Sequence, residues 1–161
     1  MDIVRFGEST SFGALKPGAC FAFEEDDSGK LGLKLAGESC VVLGREPPAL
    51  RELSADTPVF QLADAKFMPS PDPSHLRAGK SRPESGNALL CGERLLLLVE
   101  TPSGGSYVDV QSGAIVPDLA AVPTVIFTAW RIVQKWLDDE YHTLCLYETR
   151  GQKTLGFQRR P

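Results

Sequence analysis

The chain has 161 residues, of which 42% are apolar and 24% charged, with a net charge of −4 and a pI near 5.2. That is enough apolar material to bury the core of one ordinary domain or two small ones. The negative charge disfavours duplex nucleic acid and anionic membrane surfaces, both of which demand an excess of Lys and Arg.

The longest apolar run is Leu95 to Val99, so no membrane-spanning helix is expected. Met1–Phe6 lacks a basic region followed by an apolar core, so no secretory signal is expected either. Cysteines stand at 20, 40, 91 and 145, with no C-x-x-C pair. This spacing reads as reduced, mostly buried thiols in a cytoplasmic protein, and Cys20–Cys40 is the one pair that a shared sheet could bring together.

In chain order, Ile3-Val4-Arg5-Phe6 reads as a short edge strand and Glu8–Ser11 as a polar turn. Pro17 and Gly18 then favour a tight bend, because Pro presets φ and Gly tolerates positive φ. The strand that follows alternates, with Cys20, Ala22 and Glu24 on one face and Phe21 and Phe23 on the other. The acidic run Glu24-Glu25-Asp26-Asp27 ends in Gly29 and reads as a hairpin loop. Leu31, Leu33 and Leu35 alternate with Gly32 and Lys34, and Cys40–Leu43 is a short buried strand, so residues 18–43 predict a three-stranded meander. A loop with one helical turn is expected at 44–56, then strands at 58–62 and 66–68. Residues 69–86 hold four prolines, four serines and two glycines, a linker or mobile-loop composition.

The second half repeats this order. Ala88 to Leu97 has the same leucine, glycine turn and strand as Leu15 to Phe23, and Gly104-Gly105 and Gly113 punctuate two further strands. An offset of 74 separates Gly18 from Gly92 (92 − 18) and Val41 from Ile115 (115 − 41). It falls to 65 between Pro58 and Pro123 (123 − 58), which a duplication must explain by a deletion. The alternative is that all-β chains reuse the same turns. Residues 124–133 are β-branched and aromatic and predict a strand, although Ala129, Ile132, Val133 and Trp136 also fit helical spacing. A turn is expected near Asp138-Asp139, then a hairpin of 143–149 with 154–158.

The pattern Phe12-Gly13-x-Leu15-x-x-Gly18-x-x-Phe21 followed by a meander resembles small β-modules of bacterial and phage proteins. The resemblance carries no catalytic residue, and no family is assigned from it.

Chemistry is sparse. His142 and Cys145 are three apart beside Asp138–Glu140, and a Cys–His nucleophile pair needs them on one face. Regular strand alternation sends them to opposite faces, so the blander reading is a core cysteine and a surface histidine. His75 lies in the linker, and two histidines without C-x-x-C make no zinc site. The acidic loop lacks the alternating ligands of a calcium loop. No phosphate loop or G-x-S-x-G motif is present. Arg150 and Lys153, with Trp130, Trp136 and Tyr147 nearby, could line a single-strand nucleic-acid groove. Ordinary solubilising charge and core aromatics explain the same residues.

The sequence thus predicts a mainly β protein of two similar small antiparallel barrels or rolls, at 1–68 and 87–161, joined by 69–86, with at most one or two short helices. The function that fits is a non-catalytic binding or accessory module acting through protein contacts or self-association, with Trp130, Trp136, Tyr147, Arg150 and Lys153 as binding residues. No cofactor, metal or membrane is implied. The alternatives are a hydrolase-type enzyme using Cys145 and His142, and a single-stranded nucleic-acid binder.

Overall fold

The computed structural model describes residues 7–24, 29–44, 46–136 and 139–149. The expected edge strand at 3–6, the acidic loop residues 25–28, the return strand 154–158, Arg150 and Lys153 lie outside the described residues. The chain is mainly β, as its alternating patterns predict. Its only helical pieces among the described residues are single 3-10 turns at Phe12–Ala14 and Pro73–His75. No helix among them is long and apolar enough to cross a membrane.

Strands β1 (Gly7–Ser11), β2 (Cys20–Phe23), β3 (Leu31–Lys34), β4 (Ser39–Leu43), β5 (Ala49–Glu52), β6 (Pro58–Leu62) and β7 (Ala65–Pro69) come from the first half. Then follow β8 (Leu76–Ala78), β9 (Ala88–Cys91), β10 (Arg94–Thr101), β11 (Gly104–Asp109), β12 (Ile115–Val116), β13 (Val125–Phe127), β14 (Ala129–Lys135) and β15 (Tyr141–Glu148). They form two sheets, and no closed barrel is found among the described residues. The larger sheet has twelve strands in the order β1-β6-β2-β3-β4-β5-β10-β9-β13-β8, with β11 and β12 branching from β10. The smaller is β15-β14-β7. Of the expected two small barrels or rolls, the β content is present, while the described strands form two sheets that each draw on both halves. The larger sheet runs from one half into the other through a single parallel contact, Ala49 with Glu100, and β7 of the first half pairs with β14 of the second.

The expected meander of residues 18–43 is present as β2-β3-β4, and a second one as β10-β11-β12. In β2 the alternation holds. Cys20 and Ala22 enter a core shared with Leu31, Leu33, Leu97, Val108, Trp130 and Tyr147, while Phe21 enters a smaller core with Phe12, Leu15, Cys40, Leu53 and Val59. Gly32 stands opposite Phe21 in the ladder, and the Phe21 ring lies where a Cβ at Gly32 would be. The glycine is thus a packing requirement of β3. Cys20 and Cys40 face opposite sides of the sheet and are free thiols, so the pairing considered from the sequence does not form.

Gly18 and Gly92 both have positive φ, +89° and +62°, but their turns differ. Gly92 sits in the two-residue hairpin between β9 and β10, open to solvent. Gly18 donates to the Lys34 carbonyl at 2.8 Å, and any Cβ there would strike the Gln111 carbonyl oxygen.

Four local expectations are revised. Residues 49–52 form strand β5, because they complete the ladder of β4, where a helical turn was expected. Glu8–Ser11 is no turn but part of β1, which pairs with β6 along its whole length. Residues 69–86 carry a 3-10 turn and strand β8, which hydrogen-bonds to β13. Residues 124–133 are two strands broken at Thr128, where the chain passes from the larger sheet to the smaller. The helix-like spacing of Ala129, Ile132 and Val133 arises because β14 is buried on both faces, so period 2 is hidden.

Candidate functional site

A cleft of about 1080 Å³ is open on the described surface. It opens along β15, an outer strand of the smaller sheet, and is closed opposite by Gly29, Lys30, Val42, Gly44, Glu46, Pro47 and Ala49. Among the described residues β15 pairs only with β14. Leu144, Leu146, Val42 and Pro47 supply apolar wall, and Lys30, Glu46 and Glu148 supply charge. Leu146 is 59% exposed.

β15 carries a bulge. Ile132 pairs with Cys145 and Val133 with Thr143, so Leu144 is the extra residue. The bulge resets the alternation. Tyr147, Cys145 and His142 pair with Trp130, Ile132 and Gln134, three successive same-face positions of β14. His142 and Cys145 therefore share a face although they are three apart, against the expectation from regular alternation. Their partners are two residues apart on β14, a spacing of roughly 7 Å along the strand. The ring of His142 stacks on Trp136, with centroids 3.7 Å apart. Cys145 is buried in the main core, close enough to Cys20 that burial first, and then Cys145, push the Cys20 thiol up to about 12.

Trp130 and Tyr147 are core groups. Trp130 is fully buried, stacks on Tyr147 at 5.0 Å and donates from Nε1 to the Gly86 carbonyl at 2.9 Å. Tyr147 donates its hydroxyl to the Ser85 carbonyl at 3.1 Å. Both hold residues 85–86 down and offer no face to a ligand. Trp136 is half-buried at the far end of β14. No group of three or more His, Cys, Asp or Glu among the described residues is placed to hold a metal ion.

A second cluster adjoins the cleft. Ser70 Oγ lies 2.8 Å from His75 Nδ1, and His75 Nε2 lies 3.4 Å from Glu148 Oε1. The fold brings the three together at the sheet crossing. Ser70, just past β7, donates its amide to the Ala129 carbonyl at 2.9 Å, and the Thr128 amide donates to the His75 carbonyl at 2.8 Å. Glu148 stands opposite Ala129 in the ladder and also lines the cleft. Ser70 and Glu148 are 78 positions apart (148 − 70) with no motif linking them, so their approach needed the β7-β14-β15 order, which alternation alone does not set.

Comparison with protein-family models, curated proteins and solved structures found no match to this chain.

Proposed function

We propose that the protein is a binding module that accepts an extended segment of a partner protein beside β15. One observation carries the reading: the eight-residue strand β15 borders the 1080 Å³ cleft and puts Leu144 and the exposed Leu146 in its wall. Main-chain hydrogen bonds to the edge would supply affinity, and the walls of the cleft would select alternate side chains. Leu146 would take an apolar residue, and Lys30 with Glu46 would favour a peptide carrying both signs of charge.

Four free thiols support the accompanying proposal of a reducing, cytoplasmic setting. Two meanders in the same strand order at the same offset support descent from a duplicated unit, and the differing turns at Gly18 and Gly92 are then later divergence.

Amide exchange measured with a panel of extended peptides tests the docking. A bound peptide should slow exchange along β15, and Leu146→Glu should weaken binding at least about tenfold, the equivalent of 1.4 kcal/mol. Slowed exchange along β15 that appears without peptide and rises with protein concentration would instead assign the edge to a second copy. Peptides that protect other strands and leave β15 untouched would end the proposal.

A further inference from the structure

We propose that Ser70, His75 and Glu148 form an acyl-transfer site that acts on small esters. It goes beyond the docking reading and shares with it only Glu148, which lies on β15 and lines the cleft. Nucleophilic catalysis by serine needs a base within hydrogen-bond reach of the hydroxyl and a third group that orients the base. The first link is a hydrogen-bond contact at 2.8 Å, and the Glu148 carboxylate lies 3.4 Å from the other ring nitrogen as an ion-pair contact. With the proton on Nε2, the ring offers Nδ1 to the Ser70 hydroxyl, and the Glu148 carboxylate is close enough to Nε2 to stabilise the imidazolium that forms. The ring nitrogens are used in the opposite sense to the familiar serine triad, and the roles are the same.

The base is held on both sides. His75 ends a 3-10 turn whose Asp72 accepts from the Ser74 amide and hydroxyl, and its own carbonyl accepts from the Thr128 amide and hydroxyl. Its side chain is 25% exposed, so the ring is braced yet reachable. A purely local purpose accounts for only part of the arrangement. The Asp72 amide does donate to Ser70 Oγ, but at 3.4 Å, a weak contact that needs neither imidazole nor carboxylate.

In the first step the Ser70 proton passes to His75 Nδ1 as Oγ bonds to the ester carbonyl carbon. The tetrahedral adduct then collapses, the bond to the alcohol oxygen breaks, and that oxygen leaves with the proton from Nδ1. Water attacks the acyl-serine by the same exchange, releasing the acid and restoring Ser70. Ser70 and His75 are not among the residues that line the cleft, and both are half-buried, so a small ester is the substrate with easiest approach to the hydroxyl.

A fluorophosphonate probe with intact-mass and peptide mapping tests the site, alongside hydrolysis of p-nitrophenyl acetate. Wild-type protein should gain one phosphonyl group, on Ser70, and Ser70→Ala should gain none there. His75→Asn keeps a polar atom near the Nδ1 position but cannot act as the base, and should slow labelling at least about 100-fold. Glu148→Gln should slow it by a smaller factor. Circular dichroism verifies folding of each variant, and His75→Asn carries the comparison if Ser70→Ala fails to fold. No adduct on Ser70, or equal labelling rates in wild type and His75→Asn, would overturn the proposal.

Discussion

Asp109 does more for the fold than its place in a loop suggests. Its Oδ2 accepts from Arg94 Nε at 2.9 Å, and its Oδ1 accepts from the amides of Gln111 and Ser112 at 3.0 and 3.1 Å. Burial alone would raise this carboxyl, but those donors outweigh it and hold the group below the usual carboxylate range. The turn it organises places Gly113 against Gly18 and the Lys34 carbonyl, so one side chain helps join the two meanders. A carboxyl with a lowered folded pKa stabilises the protein fully above its unfolded value. That contribution is lost as pH falls through the folded value. Denaturant unfolding should therefore weaken in acid with a steeper slope in wild type than in Asp109→Asn. At pH 7 Asp109→Ala should cost about 2–3 kcal/mol, because three donors lose their acceptor. Equal acid slopes in the two proteins would show that Asp109 does not carry the effect.

Among the elements, the segment before β9 shows what the sequence could and could not say. The prolines and serines of 69–86 predict a loop, yet the segment is held from three sides. Asn87, fully buried, accepts from the Glu84 amide at 2.9 Å and donates to Thr149 Oγ1 at 2.8 Å, beside the bonds from Trp130 to Gly86 and from Tyr147 to Ser85. Composition reports what a segment can bury by itself, not the partners that a distant strand brings to it. The meander of residues 18–43 was legible because its information is local: alternation of leucines with Gly32 and Lys34, and glycine at the turns. The bulge at Leu144 was not, because nothing in Thr143-Leu144-Cys145 distinguishes it from a regular strand, and it alone decides which face His142 shares. For the held segment the outcome can be stated. Asn87→Ala removes one acceptor and one donor from a buried site, so it should cost roughly 1–3 kcal/mol. Amide exchange should speed up at Gly86 and Leu98, whose ladder bonds bracket residue 87. Faster exchange spread evenly over all strands would mean that Asn87 acts on global stability alone.

At the scale of the whole molecule, the two halves share one core. Leu31, Leu33, Val41 and Leu43 from the first half pack in the same cluster as Leu97, Val99, Val108, Trp130 and Ile132 from the second. The smaller sheet is itself mixed, since β7 supplies its third strand. Sequence patterns locate strands but carry little about which distant strand each will pair with, so two similar meanders read as two units. With the core shared, neither half can bury its inner face alone, and unfolding should be a single cooperative step. The chain holds a convenient reporter, because both tryptophans, Trp130 and Trp136, belong to the second half. Leu33→Ala, in the first half, opens a cavity in the common core and should cost about 2–5 kcal/mol. Its effect should reach the other half undiminished. The tryptophan fluorescence transition and the far-ultraviolet circular dichroism transition should coincide in wild type, and both should move to lower denaturant by the same amount in Leu33→Ala. Two resolved transitions, or a fluorescence midpoint that stays in place while the dichroism shifts, would show two independently folding units. The interlocked sheet would then hold only after each half had formed.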